Sequence, residues 1–331
     1  MRFITREAIL PDDYPSIVNI INTLEPERPR TVALLQQQHQ KREPHHHLKL
    51  FVTEIFEDDF EPKIVATSVV FHMPWAFQQD RLESKIRVLP EYRNQGIGAA
   101  LLQTNLKHLE SLGARELVGN TTDREPDALR FLEKHNFVEE WRRIEWRLRP
   151  SGIDLSGLKD LETRAAQLGV QVFTYAQLKH DPLRTRKMYD LEVALNPDIP
   201  YGQVSTIPSF EQYVLQELEG PAFLADATFL AVHDNRFIGL SSLNSSGDYL
   251  VIGTTGVLRA FRGQGLAKLL KMHGIRYALE HGDQEIRTFN DHINTAMLEM
   301  NAKLGFSRGP VELRFCKRLT GGLEGCDVQD H

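Results

Sequence analysis

One stretch of this sequence is present twice. Val88-Leu-Pro-Glu-Tyr-Arg-Asn-Gln-Gly-Ile-Gly-Ala99 returns 169 positions later as Val257-Leu-Arg-Ala-Phe-Arg-Gly-Gln-Gly-Leu-Ala-Lys268. The same offset relates Phe3-Ile-Thr5 to Val172-Phe-Thr174, Asp12 to Asp181, and Asn136-Phe137 to Gly305-Phe306. It slips once, to 173, where Lys63-Ile-Val-Ala66 matches Arg236-Phe-Ile-Gly239. The second copy therefore has extra residues before that hairpin and correspondingly fewer after it. A period this long is a duplicated domain, not a solenoid repeat. Half of 331 residues is enough chain for each copy to bury a core of its own. The expected domains are 1–150 and 171–319, joined by a linker at 151–170 and followed by a tail at 320–331.

Composition narrows the function classes. The net charge of −6 divides into −2 over residues 1–150 and −4 over the rest. Neither half has the basic excess of a nucleic-acid binder. Cys316 and Cys326 are the only cysteines, too few for a disulfide framework and without zinc spacing. Arg2, Arg6, Glu7, Asp12 and Asp13 interrupt any apolar leader, and no apolar run reaches membrane-spanning length. The expectation is a cytoplasmic protein with no nucleic-acid or membrane partner.

Periodicity places the motifs. In the first copy, Arg2–Ile9 reads as a strand. A helix then opens at Asp12 or Asp13 and carries Ile17, Ile20 and Ile21. Strands at Leu50–Phe56 and Lys63–Phe71 flank a turn at 57–62, and a further strand ends near Val88. A helix follows with Leu101, Leu102, Leu106, Leu109 and Leu112 at helical spacing, ended by Gly113. Then come strand Glu116–Asn120, helix Asp127–His135 and strand Arg143–Arg149. The second copy repeats this order, from helix Pro182–Leu195 to strand Val311–Lys317, and Leu158–Leu168 reads as a bridging helix.

Each copy sets a glycine turn between a strand and a long helix: Arg93-Asn-Gln-Gly96-Ile-Gly98 and Arg262-Gly-Gln-Gly265-Leu-Ala267. A helix start leaves N–H groups unpaired and carries partial positive charge. Glycine lets that backbone approach a pyrophosphate closely. Arg93 and Arg262 either add charge or brace the loop. A dinucleotide fingerprint fails here, because Leu101 and Leu270 stand where its third small residue belongs. No P-loop Gly-Lys-Ser/Thr is present.

These two turns resemble motif A of the GNAT superfamily of acetyl-CoA-dependent N-acetyltransferases. A second family signature, an Asn-led helix ending in Gly-Phe, is matched by Asn294 to Phe306 and more weakly by Asp127–Phe137. The resemblance covers nearly the whole chain, twice. It implies an α/β (α+β) fold of two tandem GNAT-like domains, each a mixed, mostly antiparallel, splayed sheet flanked by helices. It implies acetyl-CoA as co-substrate, a small-molecule amine as acceptor and no metal. The chain would be a monomer with an internal pseudo-dimer, or a homodimer. The pantetheine arm would run along Ile86, Arg87 and Val88, or along Thr255, Gly256 and Val257. The pyrophosphate would meet Asn94, Gln95, Gly96, Ile97, Gly98 and Ala99, or Gly263, Gln264, Gly265, Leu266, Ala267 and Lys268. Asn294 would bond the pantetheine amides or simply cap its helix. Asn294, Leu298 and Asn301 share a helix face and would line the arm.

The catalytic groups are harder to read. A lysine-type amine costs about 4–5 kcal/mol to neutralise at pH 7, so a base is useful. Many family members place a general-acid Tyr five residues before the Phe. Those positions are Leu132 and Asn301 here. Asn301 can hydrogen-bond a thiolate but cannot protonate it. Glu83 is the candidate base of the first copy; the second offers Asp248 and Tyr249 where the matching strand begins, with Tyr249 the candidate. Asp198 and Tyr201 fall where acceptor loops lie in the family. His45, His46 and His47 read as a solvated loop, not a metal site. The second copy keeps Asn294 and Gly305, where the first has Glu125 and Asn136, so it is the better cofactor site. Two other readings stand: a non-catalytic acyl-CoA sensor, and a mycothiol-synthase-like enzyme acting on a cysteinyl amine.

Overall fold

The computed structural model describes residues 2–26, 29–56, 61–200, 202 and 206–319, with the side chain of Trp75 excepted. Tyr201, Cys326, the tail 320–331 and most of the turn at 57–62 lie outside the described residues. The chain forms two compact units. Among the described residues, one holds those of 2–121, 125–141 and 313–319; the other holds those of 122–124 and 142–312.

The first unit contains β1 (Arg2–Glu7), α1 (Tyr14–Leu24), α2 (Val32–Gln40), β2 (Leu48–Phe56), β3 (Lys63–Phe71), β4 (Arg81–Val88), α3 (Ile97–Ser111), β5 (Glu116–Thr122), α4 (Pro126–Lys134) and the start of β6 (Val138–Leu148). The second contains α5 (Leu158–Gln167), β7 (Val170–Thr174), α6 (Arg184–Leu195), α7 (Phe210–Tyr213), β8 (Phe223–His233), β9 (Arg236–Ser245), β10 (Tyr249–Val257), α8 (Leu266–Glu280), β11 (Glu285–Asp291), α9 (Thr295–Lys303) and the start of β12 (Ser307–Arg318).

The sheet of the first unit runs β1-β2-β3-β4-β5. Its neighbours are antiparallel except β4 and β5, which are parallel. The end of β12 follows β5, with Leu319 N donating to Arg115 O at 2.8 Å. The second sheet runs β7-β8-β9-β10-β11, again with one parallel pair, β10 and β11. The end of β6 then pairs antiparallel with β11, from Ile286↔Leu148 to Asp291↔Arg143. Residues 142–150 therefore belong to the second unit, and 313–319 to the first. A boundary at residue 150 misplaces both half-strands, and with β6 it would part Leu148 from the second unit's core.

The apolar periodicities form the cores. Ile17 and Ile21 of α1 pack on Val52. Leu101 and Leu109 of α3 are fully buried. In the second unit, Leu266, Leu269, Leu270 and Ile275 of α8 pack against Ile238, Ala227 and Ala231 of the sheet. Helix α2 had no such signal, since none of its residues is buried. It is held at its start by Thr31, whose hydroxyl accepts from Leu34 N at 3.1 Å.

One ion pair ties β1 to the start of α1. Arg6 donates to Asp13 at 2.7 and 3.2 Å and also meets Glu54 of β2. Asp13 accepts from Ile9 N at 2.7 Å as well. The Arg6 guanidinium holds the Asp13 carboxyl below the usual carboxylate range. A depressed pKa stabilises above the unfolded value, about 3.9, and the gain is lost as pH falls through the folded value. Asp13→Asn should therefore cost about 1–3 kcal/mol near neutrality. Thermal melts of wild type and variant should converge in acid.

Candidate active site

The parallel pair in each unit is short. β10 and β11 pair only from Tyr249↔Glu285 to Val251↔Arg287. Between Ile252↔Leu243 and Thr255↔Ser241 the register with β9 shifts, so Gly253 and Thr254 together oppose Ser242. This is a β-bulge, which bends its strand and strengthens the local twist. Residues 252–257 of β10 thus have their β11-facing edge unpaired. A Cβ on Gly253 would lie 2.7 Å from Ser242 Oγ and 3.0 Å from Asn244 Nδ2, so a larger residue there would have to displace both side chains. At Gly256 a Cβ would lie 2.9 Å from Leu195 Cδ1, so glycine lets α6 lie directly on β10.

β10 leads into the second glycine turn. Gly263 and Gly265 have φ of +77° and +79°. The first bond of α8 runs from Leu269 N to Gly265 O at 2.9 Å. The N–H groups ahead of it have no helical partner and lie at an exposed turn. Arg262 Nε donates to Val257 O at 2.9 Å, which braces the turn against the strand. Asp198 then accepts from Arg262 and from Arg259 Nε, at 3.0 Å for the latter, and the two arginines hold its carboxyl down to about 2. Asp198, expected at the acceptor, is here bonded to Arg259 and Arg262 at the glycine turn.

Glu192 of α6 sets a carboxylate beside the bulge. It accepts from Tyr213 Oη at 2.7 Å, and Thr254 Oγ1 stands 3.4 Å away. Burial pushes its carboxyl pKa up, and the like charge of Glu217 adds to this. A carboxyl with a raised pKa beside an open strand edge is suited to accept a proton near neutrality. Sequence reasoning missed it. Its signal is a carboxylate on the same face as Met188, Leu191 and Leu195, the residues that α6 buries.

Tyr249 opens β10. It is 5% exposed, lies in the paired end of β10 and carries Arg287 over its ring at 3.8 Å. Asn294 caps α9, accepting from Met297 N at 3.3 Å. Asn301 is fully buried and bonded to Lys271 and Asn290, so it packs inward from the helix face it shares with Asn294. Thr255 Oγ1 pairs with Ser241 Oγ at 2.9 Å.

The first unit repeats the plan with different contents. β4 and β5 pair only from Arg81↔Glu116 to Ser84↔Gly119, so Ile86, Arg87 and Val88 also have an unpaired edge. The pairing of β4 with β3 has no register shift from Ala66↔Val88 to Phe71↔Glu83, so there is no bulge in that stretch. Asn94 and Gly96 are left-handed at φ +60° and +87°, and Arg93 Nε donates to Val88 O at 3.1 Å. Arg87 is paired with Glu25 at 2.6 Å. Glu83 is buried and accepts from Asn120 Nδ2 at 2.7 Å, and burial raises its carboxyl. A Cβ on Gly98 would touch the Phe131 ring at 3.4 Å. Helix α4 thus sets an aromatic ring directly on the first turn of α3.

The histidine loop is less exposed than expected. His47 Nε2 lies 2.8 Å from His108 Nε2, and burial drives His47 down to about 4. Ligand atoms of Glu43, His45 and His46 lie within 4.8 Å of one another. Among the described residues, no helix is long and apolar enough to cross a membrane.

The two splayed sheets and their braced glycine turns are the frame of an acyltransferase. The acetyltransferase (GNAT) family model matches the chain twice, over residues 14–137 and 185–306, and the chain belongs to that family. Similar solved structures include a tandem GNAT protein from the clavulanic acid biosynthesis pathway. It is 17% identical, with 98% of this chain and 100% of that one covered and a TM-score of 0.70. A GCN5-related N-acetyltransferase from Sphaerobacter thermophilus is 18% identical, with 97% of each chain covered and a TM-score of 0.67. One from Kribbella flavida is 12% identical, covering 95% of this chain and 72% of that chain, with a TM-score of 0.52. At these identities the likeness is one of fold. No curated protein matches the sequence. Coenzyme A, which the family implies, fits what the turns offer: exposed unpaired N–H groups beside an unpaired strand edge.

Gly256→Ala should force Leu195 away from β10 and cost about 1–3 kcal/mol by overpacking. Denaturant unfolding measures the cost, and an unchanged midpoint would mean that α6 does not rest on that edge.

Proposed function

We propose that the protein transfers an acetyl group from acetyl-CoA to a primary amine of a small molecule by direct attack, with the second repeat as the working site. The bulge at Gly253–Thr254 carries this reading. It sets Glu192 beside β10 at the point where that strand has left β11. Acetyl-CoA would be held by the backbone of Thr255–Val257 and by the N–H groups of Gly263–Lys268, and it would supply the activated thioester. Glu192 would take the proton that an ammonium acceptor must lose before attack, and Tyr213 would keep its carboxylate oriented. Proximity supplies several kcal/mol more when two substrates share one site.

One observation favours a non-catalytic acyl-CoA sensor. The residues at the expected general-acid positions, Leu132 and Asn301, are both buried and neither can protonate a thiolate. Thiol release from acetyl-CoA across a panel of amines separates the two readings. Turnover on at least one amine is expected, and binding with no turnover on any amine would favour the sensor.

Two variants locate the chemistry. Gly265→Glu places a carboxylate in the turn and should abolish turnover; undiminished turnover would remove the second repeat as the site. Glu192→Gln should lower kcat about 10²- to 10⁴-fold. A base works deprotonated, so wild-type kcat should fall as pH drops through the raised pKa of Glu192. The variant should lack that limb of the profile.

A further inference from the structure

Lys271 of α8 is 2% exposed and has no carboxylate partner among the described residues. It donates to Asn301 Oδ1 of α9, and its Nζ lies 5.3 Å from the centre of the Phe306 ring. Asn301 Nδ2 donates in turn to Asn290 Oδ1 of β11 at 2.6 Å. Asn290 sits beyond Arg287, in the part of β11 that β10 has left.

The direction of this chain follows from its first member. An ammonium only donates. Asn301 must therefore turn its oxygen to Lys271 and its nitrogen to Asn290. Asn290 must receive with its oxygen, which leaves Nδ2, a donor, as the free end. Amide orientation is ordinarily ambiguous, but here a buried cation sets it.

Packing does not require the network. The first repeat fills the three equivalent positions with Leu102, Leu132 and Thr121, all buried, and folds without an ammonium there. Burying an unpaired charge is costly, and an apolar replacement of similar shape is often neutral or stabilising. The second repeat keeps the costlier arrangement.

We propose that Lys271 is a positioning residue that acts through Asn301 to fix the Asn290 amide. β11 then presents a hydrogen-bond donor to a carbonyl of an acyl-pantetheine substrate lying between β10 and β11. The inference rests on the reading that the second repeat takes acetyl-CoA. Burial lowers Lys271 to about 7. Loss of its proton frees Asn301 and Asn290 to reverse. Asn301 of α9 and the Phe306 ring lie against Lys271 and neither titrates, while no charged group on the other elements packed on α8 (α5, β8, β9, β10 and β11) shifts it. On its own helix, His273 faces Phe229 and Glu162 instead.

Calorimetry of the full chain with acetyl-CoA tests this, comparing wild type with Gly265→Glu, Asn290→Asp and the double variant Lys271→Leu/Asn301→Leu. Asn290→Asp keeps the oxygen that receives from Asn301 and turns the free donor into an acceptor, with almost no change of shape. Both network variants should weaken binding at the Gly265-dependent site about tenfold or more. Wild-type affinity should fall as pH rises from 6 to 8.5, relative to a flatter profile in the double variant. Wild-type affinity in both network variants would overturn the inference and leave the cofactor reading standing. Binding that Gly265→Glu does not alter would overturn the cofactor reading, and the inference with it.

Discussion

The short parallel contact between β10 and β11 governs the rest of the second unit. It ends at Val251 and Arg287, and the bulge at Gly253–Thr254 bends β10 just beyond it. A strand edge left unpaired in a sheet interior needs a partner, because backbone N–H and C=O groups are costly to leave unmade. Helix α6 closes one side, with Leu195 on Gly256 and Glu192 beside Thr254. On the other side, α9 is bonded to the free stretch of β11 through Asn301 and Asn290. What remains open leads straight to the N–H groups of the Gly263–Lys268 turn. An extended ligand with amide groups along its length and phosphates at one end matches that line of donors and acceptors.

The two repeats answer the same opening differently. In the first, β4 has no bulge against β3, and Phe131 packs on Gly98. Leu132 and Leu102 occupy the positions where the second repeat holds Asn301 and Lys271. One duplicated frame therefore carries two buried leucines in one copy where the other carries a bonded Lys–Asn pair. The turns stayed alike because each is braced by its own arginine on the last carbonyl of its strand, Arg93 on Val88 and Arg262 on Val257.

Much of the fold was legible in the sequence because it is local or repeated. The apolar periodicity of α3 and α8, the glycines at positive φ and the Asn294 cap are all short-range features. The 169-residue offset then carried each assignment from one copy to the other. Two things were not legible. The exchange of half-strands places 142–150 in the second unit and 313–319 in the first, and no local pattern marks where β6 or β12 changes unit. The contacts of buried polar groups were also hidden. Helical spacing put Asn294, Leu298 and Asn301 on one face, but spacing does not say that Lys271 waits opposite Asn301. Asp198 looked like an acceptor contact because its partners, Arg259 and Arg262, are about sixty residues away in sequence. Glu192 was visible in principle, as a carboxylate on an apolar helix face.

The central claim is that the second repeat, at the opening between β10 and β11, holds acyl-CoA. Hydrogen–deuterium exchange of the full chain with and without acetyl-CoA measures it directly, because the ligand would occupy backbone groups. The account predicts new protection at Gly263–Lys268 and Thr255–Val257, stronger than at Asn94–Ala99. Protection confined to Asn94–Ala99, or none at either turn, would contradict it.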